Sequence, residues 1–338
     1  MLNKKVTVLM PVYNGQDYVG PAIQSILDQS YTNFDFLIIN DGSTDNSEKI
    51  IKKFNDNRIH YIVNEENIGL IETLNKGLRQ IQGKYIVRMD ADDISLPLRI
   101  EKQVEFMDAN PEIVVSGTSV KKFNNKGFLK QEYVRYSPDD LKTQLLFGSP
   151  LRHPTVIMRN EVLKKENYEY DIELNTVEDY GLWQKISEKY PLGNIKEPFL
   201  EYRINENGIT QQADKKVVYR DKQHIVIYQR IFESLGIDLT NNQLQVYRDF
   251  VTKRIILNEK NLECLKNILL IIKDATKRQT YSIKLEEQYF KRFLTDICIQ
   301  QQVSYSEWNL LYKKYLKKIF KWTIKDKLKF ILKKARSI

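Results

Sequence analysis

Through its first 120 residues the chain alternates short apolar runs with segments of helical spacing, and no other feature limits its fold so strongly. Residues 6–10 read as a buried strand ended by Pro11, and residues 16–29 place Tyr18, Ala22, Ile23, Ile26 and Leu27 at helical spacing. A second strand spans 34–40 and stops at the turn Asp41-Gly42-Ser43. A helix over 43–54 follows, with Ser43 or Thr44 as its cap. A strand at 59–63, a helix at 68–82 and a strand at 85–89 continue the series, and Ser95 caps a further helix with Pro97 in its first turn. This order implies an α/β fold, a mainly parallel, doubly wound sheet flanked by helices. Such sheets bind ligands beyond the carboxyl ends of their strands. Three polar clusters fall there: Tyr13-Asn14, Asn40-Asp41-Gly42-Ser43 and Asp90-Ala91-Asp92-Asp93.

A chain of 338 residues with 42% hydrophobic residues can build a large core, and its length suggests two domains. Mixed strand and helix signals run from about 113 to 210, and from about 216 the sequence is helical and almost free of glycine. The expected division is 1–215 and a helical C-terminal region, 216–338. No apolar run approaches the ~20 residues of a membrane span, and the first ten residues are too short for a signal peptide. Cys264 and Cys298 lack metal-ligand spacing, so a disulfide scaffold and a zinc site are both excluded and a cytoplasmic setting fits.

The net charge of +9 is unevenly placed. Residues 313–336 carry ten lysines and one arginine against the single acid Asp326, which leaves the remainder near neutral. That pattern excludes a nucleic-acid-binding body, whose cations would spread over a whole face. Within the tail Leu316, Ile319, Phe320, Thr323, Ile324, Leu328 and Ile331 recur at helical spacing. Residues 312–338 therefore read as a basic amphipathic helix suited to an anionic membrane surface. The competing reading is a solvated helix that packs its stripe on the body.

The first strand is followed by neither G-x-G-x-x-G nor a P-loop, which argues against a dinucleotide dehydrogenase and a P-loop NTPase. Asp90 and Asp92, two apart after a strand, present carboxylates to one side. Such oxygen ligands suit Mg²⁺ or Mn²⁺ beside a diphosphate, although aspartates also gather in ordinary turns.

Taken together, VTVLMPVYNGQDYVG, FDFLIINDGSTDNS, NEENIGL, GKYIVRMDADD, HPTVIMR, VEDYGLW and EPFLEYR resemble the family 2 glycosyltransferases of GT-A fold, over residues 4 to about 210. The layout is most similar to bacterial β-1,3-N-acetylglucosaminyl- and galactosyltransferases of lipopolysaccharide and capsule synthesis. The resemblance implies an inverting enzyme that moves a sugar from a UDP-sugar to a glycan or lipid-linked glycan acceptor, using Mn²⁺ or Mg²⁺. It places Pro11, Tyr13 and Asp41 at the uridine, with Asp41 accepting from uracil N3–H and Asn40 standing where a first acid is commoner. Asp90 and Asp92 match the pair that meets ribose and metal, and Asp93 faces the donor sugar. Asp179 matches the catalytic base, with Glu178 as the alternative, and it also stands where a helix N-cap is expected. His153 is expected in the cleft, on donor phosphate, metal or acceptor, or merely orienting its wall. Arg203 matches an arginine near the diphosphate, and Asn205 occupies a position where histidine is frequent. Lipid-linked acceptors would put the enzyme on the inner face of the cell membrane. A nucleotidyltransferase and a non-catalytic membrane-peripheral scaffold are the alternatives, and a homo-oligomer stays open.

Overall fold

In the computed structural model residues 5–205, 217–279 and 281–335 are described. Two compact units divide the chain: residues 1–141 with 149–220, and residues 142–148 with 221–338. The boundary expected near 210–216, the residues 206–210 that follow the EPFLEYR motif, and Arg336 lie outside the described residues.

The first unit is built on a nine-stranded sheet in the order β3-β2-β1-β4-β8-β6-β9-β5, with β7 paired to β6. Its strands are β1 (Val6–Val12), β2 (Phe34–Asn40), β3 (Ile59–Val63), β4 (Tyr85–Arg88), β5 (Ile94–Ser95), β6 (Val115–Asn124), β7 (Gly127–Glu132), β8 (Ile157–Arg159) and β9 (Leu192–Arg203). β3, β2, β1 and β4 are mutually parallel, as the alternation requires, while β8 joins β4 antiparallel and turns the rest into a mixed sheet. The helices are α1 (Val19–Leu27), α2 (Ser47–Ile51), α3 (Leu70–Gln80), α4 (Arg99–Ala109), α5 (Pro138–Leu145) as far as Leu141, α6 (Asn160–Glu166) and α7 (Glu178–Ser187). Every residue of β1 and β2 is buried, as strands covered on both faces must be. Val6, Val8, Met10, Phe34, Phe36 and Ile38 pack with Ile23 and Ile26 of α1 and Ile100 and Met107 of α4. On the other face Gly77 of α3 lets that helix approach Leu9 and Ile39.

Three expectations need correction. β1 does not end at Pro11 but runs on to Val12, pairing Pro11 with Ile39. Alternate residues of a strand face the same neighbour, and Leu9 accepts from Met89 N on the β4 side. Pro11 faces that side too, beyond the end of β4 pairing at Arg88, so its missing N–H costs the ladder nothing. α2 starts at Ser47 rather than Ser43, because residues 43–46 are engaged by the loop after β1. Ser95 is a strand residue, not a cap: its N–H donates to Ser25 Oγ at 3.0 Å, and α4 begins at Arg99 without a side-chain cap.

The second unit holds α8 (Val217–Ser234) from Asp221 onward, α9 (Asn241–Val251), α10 (Glu259–Lys277), α11 (Ile283–Gln300), α12 (Tyr305–Leu311) and α13 (Ile324–Ala335). Its core is aromatic, with Tyr228, Phe232, Tyr247, Phe250 and Phe290 all at most 2% exposed. The basic tail is not one amphipathic helix. A π-helical turn over Tyr312–Leu316 continues α12, the chain breaks near Phe320–Thr323, and α13 restarts behind a reciprocal Thr323–Asp326 cap. Leu316, Ile319, Phe320, Trp322 and Phe330 are buried in this unit, with Trp322 5.1 Å from Trp308 between ring centroids. Among the described residues of the stripe Leu316, Ile319 and Phe320 therefore cover the protein's own core, while Thr323 and Ile331, the latter 48% exposed, do not. Among the described residues no helix is long and apolar enough to cross a membrane.

Candidate active site

The loops at the carboxyl ends of β1 and β2 are latched together by short polar side chains. Asn14 N donates to Ser43 Oγ (3.0 Å), Gly15 N to Ser47 Oγ (2.8 Å) and Gln16 N to Asp45 Oδ2 (2.9 Å). Asn14 adopts the left-handed region (φ 48°), and its amide oxygen accepts in return from Thr44 N at 2.8 Å. Gly42, at φ +64°, passes so close to the backbone of Glu66 and Asn67 that a Cβ would lie 2.5 Å from a carbonyl carbon, so no other residue fits that turn. These constraints leave Tyr13 half-exposed above buried Pro11 and Asp41.

Asp41 organises the neighbouring loop. Its Oδ1 accepts from Asn64 Nδ2 (2.7 Å) and Ile68 N (3.0 Å), and its Oδ2 from Gly69 N (2.9 Å). A carboxylate offers about four acceptor positions, so one on Oδ2 stays open to a ligand N–H. Asn40 is committed elsewhere, accepting from Ser43 N and donating to Tyr61 Oη.

Beyond β4 the carboxylates of Asp90, Asp92 and Asp93 gather with ligand atoms within 4.8 Å of one another. Three arginines surround them. Arg88, 2% exposed at the end of β4, grips Asp90 with both terminal nitrogens, at 2.6 and 2.5 Å. Arg99 is wholly buried; its guanidinium donates to the carbonyls of Arg88 (2.6 Å) and Pro154 (2.8 Å), and burial pushes it down to about 9. Arg203, at the end of β9, donates its N–H to Asp93 Oδ1 and its Nε to the Asp92 carbonyl, both at 2.8 Å. The rings of Tyr18 and Phe123 flank its guanidinium at 4.5 and 4.4 Å. Burial and the charge of Asp90 push Asp92 up to about 6 and hold Asp93 well above the ordinary carboxylate range.

A divalent cation fits these residues. Asp93 Oδ2 is buried with no hydrogen-bond partner among the described residues, and carboxylate oxygens are the donors Mg²⁺ and Mn²⁺ prefer.

The first turn of α7 supplies the remaining groups. Val177 occupies the N-cap, so Asp179 is not the cap; it lies inside the helix, where its Oδ2 accepts from Ser149 Oγ at 3.1 Å. Burial raises its pKa, with His153, the Tyr180 N–H and Ser149 acting against that rise. His153 joins Tyr170 Oη at 2.9 Å through Nε2 and stands 3.6 Å from Glu178 through Nδ1. Burial and the nearby Arg88 push its pKa down to about 3, so the ring is neutral at physiological pH.

Sequence reasoning passed over Arg88, Arg99, Ser149 and Tyr170. For Arg88 a signal existed: one cation closing the apolar run Tyr85-Ile86-Val87 just before the acids. Nothing in the sequence paired Ser149 with Asp179, thirty positions away.

Residues 7–166 match the model of glycosyl transferase family 2. An uncharacterized glycosyltransferase of Haemophilus influenzae is 30% identical over 278 residues, covering 78% of this chain and 84% of that protein. The amylovoran biosynthesis glycosyltransferase AmsE of Erwinia amylovora is 27% identical over 212 residues, 61% of this chain and 79% of that protein. Among solved structures, S. aureus TarS 1-349 in complex with UDP-GlcNAc superposes with a TM-score of 0.59 at 18% identity, over 89% of this chain and 93% of that one. With the GT-A architecture and the strand-end acids in place, this likeness establishes that the chain belongs to glycosyl transferase family 2.

Proposed function

We propose that the chain is an inverting, divalent-metal-dependent glycosyltransferase that moves a hexose or N-acetylhexosamine from a UDP-sugar to a hydroxyl of a glycan or lipid-linked glycan, in the synthesis of a bacterial surface polysaccharide. The observation that carries the reading is the Asp90–Asp92–Asp93 cluster bound to Arg203 at the mouth of the sheet. The name of AmsE supports a polysaccharide product, and the UDP-GlcNAc complex of a structural neighbour supports a UDP-sugar donor.

In this reading Pro11, Tyr13 and Asp41 receive the uridine, the open position of Asp41 Oδ2 meeting uracil N3–H. Asp92, with Asp93 beside it, would hold Mn²⁺ or Mg²⁺, whose charge offsets the charge that gathers on a departing diphosphate. Arg203, fixed by two rings and two hydrogen bonds, is pre-placed to neutralise the same leaving group. Asp179 takes the proton of the acceptor hydroxyl while that oxygen attacks the anomeric carbon opposite the UDP; one C–O bond forms as the other breaks, and the configuration inverts. Its raised pKa keeps it basic enough to share a proton in the transition state. His153, neutral and fixed between Tyr170 and Glu178, shapes the cleft wall.

We place the enzyme at the inner face of the cell membrane on the strength of charge alone. Lys313, Lys317, Lys318, Lys321 and Lys329 are exposed and form no ion pair among the described residues. The test is UDP release from a panel of UDP-sugars, with and without Mn²⁺, and the anomeric configuration of the product read by NMR. No turnover of any nucleotide sugar by the folded chain would refute the proposal.

A further inference from the structure

We propose that the acceptor glycan is anionic, with a phosphate or carboxylate close to the reacting hydroxyl, and that Arg152 and Lys130 bind that group. The inference rests on the glycosyltransferase reading above and names the class of acceptor that the same cleft would take. Residues 121–136, the β6–β7 hairpin and the segment that continues it, hold four lysines and one arginine against the single acid Glu132. That acid is already shared, by Lys122 at 2.5 Å and by Arg152. Lys121 lies opposite Glu201 of β9 in the sheet register. Lys126, Lys130 and Arg135 are exposed and form no ion pair among the described residues. The register also sets Lys130 directly opposite Lys122, an arrangement of like charges that destabilises a ladder and that a bound anion would relieve.

This basic hairpin borders the proposed site at both ends. At its turn Asn125 accepts from Arg203 Nη1 at 3.3 Å. At its far end Asn194 Nδ2 donates to the carbonyls of both Arg135 (2.8 Å) and Pro150 (3.2 Å), which ties the continuation of β7 to the segment beside the proposed base. Pro150 follows Ser149, whose hydroxyl donates to Asp179, and Arg152 stands three residues from Ser149. Three residues reach at most about 10 Å, roughly the length of a disaccharide. An acceptor whose hydroxyl meets Asp179 therefore has its next sugars within range of Arg152, whose side chain is 43% exposed. A guanidinium matches the planar oxygens of a carboxylate or phosphate through paired N–H bonds. Tyr133 and Tyr136, 64% and 59% exposed, belong to the same segment, and such amphipathic rings suit one face of a sugar and water together.

The test uses three probes that differ in charge: methyl β-glucoside, methyl β-glucuronide and methyl β-glucoside 6-phosphate. Their affinities for the full chain are read by ligand-observed NMR titration with UDP and Mg²⁺ saturating, which keeps the probes out of the donor site. Melting by circular dichroism confirms folding. At least one anionic probe should bind ~10-fold or more tighter than the neutral one, as hydrogen bonds to a charged group imply. The carboxylate and phosphate arms show which anion the acceptor bears. In the double variant Arg152→Gln/Lys130→Gln the three affinities should fall within about threefold of one another. Arg152→Lys, which keeps the charge but loses the fork, should retain part of the preference.

A folded wild type that binds UDP yet prefers neither anionic probe overturns the inference alone and leaves glycosyl transfer standing. A folded double variant that keeps the preference also overturns it, because these cations then serve only to solvate the lip of the cleft. If wild type binds no UDP even with Mg²⁺, the glycosyltransferase reading itself falls and takes the inference with it.

Discussion

Removing the Ser149 hydroxyl isolates the proposed base without touching it. Ser149 Oγ donates to Asp179 Oδ2 at 3.1 Å and also lies 3.2 Å from the Leu151 carbonyl, so the proton is shared between two acceptors. A hydrogen bond to a charged group is worth about 1.5–3 kcal/mol, and the length and sharing of this one point to the lower figure. Because the bond favours the ionised carboxylate, its loss raises the pKa of Asp179, by roughly one unit at ~1.4 kcal/mol per unit. General-base catalysis needs the ionised form, so in Ser149→Ala the acid limb of kcat against pH moves up by about one unit while the plateau is largely kept. Asp179→Asn, by contrast, should lower kcat at every pH by at least ~10²-fold. The assay is donor turnover at saturating substrate across the pH range, paired with a melting curve for each variant. An acid limb that stays put in folded Ser149→Ala would mean that another group titrates there, with Glu178 the first to examine.

Asp92→Ala should abolish Mn²⁺-dependent UDP binding in calorimetry, and tight metal-dependent binding by the folded variant would remove Asp92 from the metal. His153 is neutral when folded down to about pH 3 but ionises near 6.5 when unfolded. Stability that is fully present above pH 6.5 is thus lost as pH falls toward 3, by a few kcal/mol at most. Urea titrations of His153→Gln over that window should lack this component, and a variant with an unchanged slope would contradict it. Phe330→Ala, at a wholly buried ring beside Trp308, should cost about 3–5 kcal/mol, read as a lowered melting temperature; a loss below 1 kcal/mol would mean that the tail does not pack. Changing Lys317, Lys318 and Lys321 to Glu should prevent sedimentation with anionic vesicles, and high salt should release the unaltered protein completely. Release that stays partial in high salt would indicate inserted apolar side chains.

The strand–helix order was legible because burial on both faces forces continuous apolar strands, and only helices can return the chain between parallel neighbours. The positions of Asp41 and the Asp90–Asp93 cluster followed from strand ends, whereas Arg203 came from the family resemblance alone. The roles inside those loops did not, because short polar residues are interchangeable until their partners are known. Ser43 and Thr44 look like helix caps, yet Ser43 serves Asn14 and Thr44 donates to the Asn14 amide, and the helix waits until Ser47. Asp179 had cap chemistry and a catalytic match together, and a hydroxyl contributed from thirty residues away drew it inside the first turn. Arg88 and Asp90 were visible as letters, but a fork between them depends on a side chain folding back along its own strand.

The tail shows what periodicity can and cannot establish. Spacing identifies which side chains share a face, and Leu316, Ile319 and Phe320 do share one, opposite Lys317, Lys318 and Lys321. It does not say what covers that face. A bilayer and a protein core reward the same apolar stripe, because each removes the same surface from water. The distinction lies in the terminal aromatic residues: Trp322 sits 5.1 Å from Trp308, and the Tyr312 hydroxyl donates to the Phe320 carbonyl while accepting from Trp322 N, both at 3.0 Å. Contacts of this kind fix a bend where a surface-lying helix would run straight, and they commit the stripe to the interior. Lys313, Lys317, Lys318 and Lys321 remain outside as a cluster of like charges, whose mutual repulsion an anionic surface would relieve. Any membrane contact through this segment is therefore a matter of charge, and salt is the variable that must break it.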